Sequence, residues 1–242
     1  MKNIKKLFGR KKNAPNCAAV IVAAGESRRF GTDKTALDIG GVPVLARTVK
    51  AFEDSECIRE IVIVTREEKL EEVAELVRRY ALSKVSRVVI GGKTRAESSL
   101  AGVTAVGKGA KLIAIHDAAR PLVTQDVIAR TVEAAEQYRA AVPAIASTDT
   151  LRLSEDGFSA GTLDRDAVVR IQTPQVFDAD LIKGALSFVI DKNIQVTDDA
   201  SAMEAIGFKT RFVEGDSGNI KLTRPEDRFF AEAILKSRGE QI

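Results

Sequence analysis

Tryptophan is absent from this chain, and histidine occurs once, at position 116. Aromatic residues make up 5% of the sequence, too few for the stacked platforms on which single-stranded nucleic acids are read. Two cysteines, Cys17 and Cys57, exclude a disulfide framework, and no Cys-x-x-Cys or His-rich cluster offers zinc ligands. Packed, reduced thiols in a cytoplasmic protein are the expectation. No apolar run approaches the length of a membrane span. None of signal-peptide length separates the basic N-terminus from Pro15. The formal net charge of +3 misleads, because six basic residues (Lys2, Lys5, Lys6, Arg10, Lys11, Lys12) lie in the first twelve positions, where there is no acid. Setting them aside leaves 31 of the 37 basic residues against 34 acidic ones, so the body has no basic footprint for nucleic acid.

What is present has the composition of a soluble globular protein, with 45% hydrophobic and 29% charged residues in 242. Residues 1–16 read as a basic flexible tail. Ile4, Leu7 and Phe8 give it one short apolar edge, and no stable membrane association is expected of it. From Cys17, short apolar runs alternate with amphipathic stretches. Strands are expected at Cys17–Val22, Ile61–Thr65, Val88–Ile90 and Leu112–Ile115, and helices at Val44–Phe52, Glu67–Tyr80, Ala96–Val106 and Gln125–Tyr138. The strands are continuous apolar runs, as in a parallel sheet covered on both faces. The expectation is an α/β fold with a doubly wound, mostly parallel Rossmann-like sheet, forming one domain over residues 17–242. Ligands of such sheets bind beyond the carboxyl ends of the strands. The rhythm changes after Ala141. Thr150–Leu153 and Phe158–Leu163, joined through Asp156-Gly157, read as a hairpin arm projecting at about residues 148–165 and available for dimerisation. Thr223 as N-cap, with Pro225, Glu226 and Asp227 after it, opens a last helix.

The first strand runs into Ala23-Ala24-Gly25-Glu26-Ser27-Arg28-Arg29-Phe30-Gly31, with Lys34 close behind. Small residues let backbone N–H groups close around an anion, and Arg28, Arg29 and Lys34 add positive charge. A nucleoside triphosphate fits such a loop; so does a tight strand-to-helix turn with solvated arginines. Neither the Walker A nor the Rossmann glycine spacing is present, which removes the fingerprint of a dehydrogenase.

Further motifs follow in order: Gly91-Gly92-Lys93-Thr94-Arg95-Ala96-Glu97-Ser98, His116-Asp117-Ala118-Ala119-Arg120-Pro121, Thr148-Asp149-Thr150, Asp164-Arg165, Gln172-Thr173-Pro174-Gln175, Thr197-Asp198-Asp199-Ala200-Ser201 and Asn219-Ile220-Lys221-Leu222-Thr223-Arg224-Pro225-Glu226-Asp227. The loop resembles that of sugar-phosphate nucleotidyltransferases. The ordered set, covering Cys17 to Leu235, closely resembles the methylerythritol-phosphate cytidylyltransferases of non-mevalonate isoprenoid synthesis. Where that family commonly has Pro-Lys-Gln, this chain has Asp33-Lys34-Thr35, with a carboxylate beside the lysine.

The resemblance implies transfer of CMP from CTP to 2-C-methyl-D-erythritol 4-phosphate with release of pyrophosphate. It implies Arg29 and Lys34 as transition-state cations, Ala23, Ala24, Gly92 and Ser98 around the cytidine, and Gly25 and Arg95 as further substrate-binding residues. Asp117, Arg120, Thr173, Thr197 and Lys221 fall to the acceptor pocket, with Lys221 and Arg165 also counted among the catalytic cations. Thr150 and Arg165 would come from a partner's hairpin, so a homodimer with shared active sites is implied. Mg²⁺ would be held mainly by the CTP phosphates, with Asp117 as one available ligand. The acceptor, a phosphate monoester, is already mostly dianionic at neutral pH and needs no general base. His116 therefore reads as a packed or hydrogen-bonding residue. Two other readings stand beside this one: a ribitol-5-phosphate cytidylyltransferase, whose family tends to carry Ala-Gly-Gly in the first loop and Ser-Val in place of Ala118-Ala119, and a catalytically inactive nucleotide-binding protein.

Overall fold

The computed structural model describes residues 16–25 and 35–239. The expected tail (all but Asn16) and Arg28, Arg29 and Lys34 lie outside the described residues. In chain order the elements are β1 (Cys17–Val22), β2 (Asp38–Ile39), β3 (Val42–Pro43), α1 (Val44–Glu53), β4 (Ile58–Thr65), α2 (Leu70–Arg79), β5 (Val85–Ile90), α3 (Arg95–Ala105), β6 (Leu112–Asp117), α4 (Gln125–Tyr138), β7 (Ala140–Ala146), β8 (Arg152–Glu155), β9 (Phe158–Thr162), β10 (Val169–Ile171), β11 (Gln175–Asp178), α5 (Ala179–Asp191), α6 (Asp199–Ala205), β12 (Arg211–Glu214) and α7 (Asp227–Ser237).

The central sheet runs β5-β4-β1-β6-β11-β7, with β10 and β12 also paired to β7. β5, β4, β1 and β6 are mutually parallel. The chain winds outward from β1 through β4 to β5 and then crosses to β6 on the other side of β1. That reversal creates a switch point at the carboxyl ends of β1 and β6, where doubly wound folds place their ligands. The strands are apolar on both faces because both are covered. Cys17, Ala19 and Ile21 of β1 join a core layer with Leu45, Phe52 and Ile128. Val20 joins the opposite layer with Val103, Ile182 and Leu186. Gly102 sets how closely α3 approaches: a Cβ there would lie 2.3 Å from Val20 and 2.7 Å from Val64.

Beyond β6 the sheet becomes mixed. β11 is antiparallel to both β6 and β7, and β10 is antiparallel to β7. β10 and β11 act as one strand broken in the middle. Ile171 pairs with Ala144 and Val176 with Ala141, so five steps along one chain match three along the other. Among the surplus residues, Thr173 brings its hydroxyl within 3.2 Å of the Asp117 N–H at the end of β6.

Several elements differ from the sequence reading. The helix expected over Glu67–Tyr80 opens with a 3-10 turn, Glu67–Lys69, before α2. The last helix starts at Asp227 rather than just after Thr223. The Asp227 carboxylate takes the Thr223 and Arg224 N–H groups and the Thr223 hydroxyl, closing a tight turn around Pro225 before regular helix begins. Asp198 caps α6, accepting the Ser201 N–H at 2.9 Å. The hairpin β8–β9 turns through Asp156 (φ 49°) and Gly157 (φ 84°), the paired positive φ values of a type I′ turn. Its strands are exposed almost throughout, including Leu153 at 53% and Phe158 at 78%. No helix among the described residues is long and apolar enough to cross a membrane.

Candidate active site

Three loops meet beyond the ends of β1, β5 and β6. Ala23 extends the β1 ladder by donating to the Val64 carbonyl at 2.7 Å, and Gly91 extends β5 by donating to the Thr65 carbonyl at 2.8 Å. A Cβ on Gly91 would stand 2.6 Å from Ala24 Cβ and 2.8 Å from Ser98 Oγ. Glycine at this position is what lets the two loops and the start of α3 close together. The start of α3 is fixed by a capping box: Thr94 Oγ1 accepts the Glu97 N–H at 3.1 Å, and the Glu97 carboxylate accepts the Thr94 N–H at 2.8 Å. Ser98 is buried; its hydroxyl donates to the Thr94 carbonyl at 2.9 Å and accepts the Gly92 N–H at 3.2 Å. Ala23, Ala24, Gly25, Gly92 and Ser98 thus line one small-residue cleft, with Gly25 and Gly92 exposed at its mouth.

Asp117, the last residue of β6, faces this cleft. Lys221 Nζ lies 2.7 Å from its Oδ2, Arg95 Nη2 3.4 Å from its Oδ1, and Arg120 Nε 3.9 Å from its Oδ2. Burial alone would raise the carboxyl pKa, but Lys221, then Arg95 and Arg120, hold it well below the usual carboxylate range. Asp117 is therefore ionised at any working pH. The long reach from β6 to Lys221 is made by the segment before α7. Arg120 donates to the Asn219 carbonyl at 2.7 Å, Asn219 Nδ2 donates to the Thr173 carbonyl at 2.9 Å, and the Leu222 N–H donates to the Ala119 carbonyl at 2.8 Å.

Behind Asp117 sits a closed relay. The Asp117 N–H donates to Thr173 Oγ1 at 3.2 Å, and Thr173 Oγ1 lies 2.9 Å from His116 Nδ1. His116 Nε2 lies 3.1 Å from the Arg120 carbonyl. A carbonyl only accepts, so the proton belongs on Nε2 and Nδ1 accepts from Thr173, an assignment made from the network. The ring also packs on Phe52 with centroids 4.8 Å apart. His116 is fully buried, and burial pushes its pKa down to about 4. It is a neutral hydrogen-bonding residue, as the sequence led us to expect, and both nitrogens are engaged. Thr173, 4% exposed, positions Asp117 from behind.

A pH dependence follows. The unfolded imidazole takes its proton near pH 6.5 and the folded one only near 4. The unfolded state therefore binds more protons in between, and stability falls as pH drops through that window. The size is about 3 kcal/mol at 1.36 kcal/mol per unit. Denaturant titrations of wild type and His116→Gln should accordingly converge in unfolding free energy between pH 6.5 and 4. A difference that is constant with pH would contradict a buried neutral imidazole.

Arg95, expected among the substrate-binding residues, has its guanidinium between Asp117 and Asp199, with Nη2 2.7 Å from Asp199 Oδ2. Thr197 is exposed two residues before Asp199, its hydroxyl 3.3 Å from Ser201 Oγ. Thr150 and Arg165 are exposed on and beside the hairpin, and no contact among the described residues joins them to the Asp117 cluster within the chain. Two residues escaped the sequence reading. Asp199 is completely buried. Gln175 binds the start of α6, its Oε1 accepting the Asp199 and Ala200 N–H groups at 3.0 Å and its Nε2 donating to Asp198 Oδ2 at 2.8 Å. The signal for both was their place beside motif residues. Among the described residues no cluster of three or more His, Cys, Asp or Glu could hold a metal. Asp117, the one carboxylate considered for Mg²⁺, is already wrapped by three cations and does not fit that role.

Small-residue loops at a switch point, facing a carboxylate surrounded by cations, suit the handling of a nucleoside triphosphate beside a second phosphate-bearing substrate; this is the frame of a nucleotidyltransferase. Residues 17–237 match the family described as 2-C-methyl-D-erythritol 4-phosphate cytidylyltransferase. The protein of that name from Halalkalibacterium halodurans is 41% identical over 223 residues, covering 91% of this chain and 97% of the relative. The one from Caldanaerobacter subterraneus subsp. tengcongensis is 41% identical over 225 residues, covering 91% and 99%. Among solved structures, 4-diphosphocytidyl-2C-methyl-D-erythritol synthase from Anaerococcus prevotii superposes with a TM-score of 0.82 at 30% identity, covering 92% of this chain and 97% of that one. The cytidylyltransferase from Thermus thermophilus gives 0.76 at 30% identity, covering 90% and 98%. The chain belongs to the 2-C-methyl-D-erythritol 4-phosphate cytidylyltransferase family.

Proposed function

We propose that the chain transfers CMP from CTP to 2-C-methyl-D-erythritol 4-phosphate, with the nucleotide in the small-residue cleft and the acceptor over Asp117. The observation that carries this reading is the charge arrangement at the end of β6. Lys221 and Arg120 stand against Asp117, while Arg95 is paired with the buried Asp199. The surplus positive charge suits a phosphate, while the ionised Asp117 suits the hydroxyls of a polyol. An acceptor phosphate oxygen attacks the α-phosphorus of CTP, the bond from that phosphorus to the β-phosphate oxygen breaks, and pyrophosphate leaves. No base is needed, which agrees with a histidine whose nitrogens are both occupied. Catalysis rests on alignment and on cations around the crowded phosphorus, the role assigned to Arg29 and Lys34. Mg²⁺ enters with the triphosphate as part of the substrate.

The acceptor side is completed by a second copy of the chain. A hairpin alone is marginally stable in water, and β8–β9 leaves Leu153 and Phe158 exposed, so a partner surface would give it something to pack on. Arg165, next to that hairpin and exposed, is then available to grip the acceptor phosphate of the neighbouring site. Cys17 and Cys57 are unbonded thiols, in keeping with a reducing, cytoplasmic setting.

The test is pyrophosphate release with each of four nucleoside triphosphates, with and without Mg²⁺, crossed against methylerythritol, ribitol and erythritol phosphates. Release is expected with CTP, Mg²⁺ and the methylerythritol phosphate. Faster turnover with ribitol phosphate would change the acceptor, and no turnover with any polyol phosphate would overturn the reaction.

A further inference from the structure

We propose that Asp199 is a positioning residue of the acceptor pocket. By drawing the Arg95 guanidinium to itself, it keeps one oxygen of Asp117 open to an incoming hydroxyl. This rests on the reading of Asp117 as an acceptor contact.

The geometry turns on one nitrogen. Arg95 Nη2 stands 2.7 Å from Asp199 Oδ2 and 3.4 Å from Asp117 Oδ1. The short contact is to the carboxylate that solvent and substrate do not reach: Asp199 is 0% exposed, Asp117 9%. Asp117 Oδ2 is already taken by Lys221 at 2.7 Å. Its Oδ1 is therefore the oxygen with only a long contact, and it stays so while Asp199 holds Arg95 back. Neither oxygen of Asp199 receives a hydrogen bond of good geometry among the described residues, so its interaction is concentrated on Arg95. The backbone under it is fixed independently, since Gln175 Oε1 accepts the N–H groups of Asp199 and Ala200. Stability gives no reason for this arrangement, because replacing a buried ion pair with apolar residues is often neutral or stabilising. The arrangement also links the first residue of α3, beside the nucleotide cleft, to the first residue of α6, beside the acceptor pocket.

Asp199→Asn keeps the shape and removes the charge. Arg95 should then move onto Asp117 and compete with the acceptor. The KM for methylerythritol phosphate is expected to rise about tenfold, the scale of one charge-assisted hydrogen bond, while the KM for CTP stays within about twofold and the melting temperature is retained. The double variant Arg95→Gln/Asp199→Asn leaves no guanidinium to cover Asp117, so the acceptor KM should return toward wild type. It also serves where the single variant does not fold, since it leaves neither charge unpaired. An unchanged acceptor KM in Asp199→Asn, an equal rise in both KM values, or a double variant no better than the single would overturn the proposal. Asp117→Asn separates the two levels. If it leaves the acceptor KM unchanged, the reading of Asp117 itself is wrong. If it raises that KM while Asp199→Asn does not, only the role of Asp199 is wrong.

Discussion

Arg29→Ala or Lys34→Ala is expected to lower kcat by about 10²-fold or more while changing the KM for CTP little. The reaction brings a phosphate dianion onto a triphosphate, so the barrier is dominated by charge that gathers on the α-phosphoryl oxygens as the new bond forms. A cation aimed at those oxygens stabilises the transition state more than bound CTP, and its removal therefore appears in kcat. Asp33 stands beside Lys34 in this chain and would partly offset its charge. Asp33→Pro, which restores the more common neighbour, supplies a control that should not lower kcat. Steady-state kinetics with both substrates varied decides the matter. A variant that keeps kcat and loses only affinity for CTP would reduce its residue to a ground-state contact.

Arg165→Ala is expected to raise the KM for the acceptor about 10- to 100-fold, the worth of one or two charge-assisted hydrogen bonds, with the KM for CTP nearly intact. Arg165 makes no contact with the Asp117 cluster of its own chain among the described residues and lies beside an exposed hairpin. A purely solvated arginine would leave both KM values unchanged. Equal losses for both substrates would point instead to a folding defect in the turn at Arg165–Ala167.

The parallel half of the sheet was legible because its strands are continuous apolar runs followed by helices of clear periodicity, from Cys17 to Tyr138. The second half was not, and β7 shows why. Its sequence, Ala140–Ala146, is mostly alanine with a proline, and only its burial between neighbouring strands makes it a strand. β10 and β11 are short, and the break at Gln172–Pro174 hides that they lie along one line. In the site, Asp117, Lys221 and Arg120 were found through their motifs and do converge. Arg95 was expected to bind substrate, but nothing in a sequence shows that its guanidinium lies between Asp117 and the buried Asp199. Asp199 drew no role from the sequence because its partner, Arg95, is more than a hundred positions away. Ion pairs between distant segments leave no periodic trace.

That one subunit's switch point and another's hairpin form a single reaction site can be decided by mixing Lys34→Ala and Arg165→Ala under conditions of subunit exchange and assaying below the wild-type KM for the acceptor, where each variant alone has lost most of its activity. In a twofold dimer each mixed pair contains one site with both its own Lys34 and its partner's Arg165. At equal amounts half the dimers are mixed and half of their sites are intact, so activity should return to about a quarter of wild type. Exchange is verified by capturing one tagged variant with the other. If the mixed dimers form and activity remains at the level of the separate variants, Arg165 acts within its own chain and the shared site is wrong.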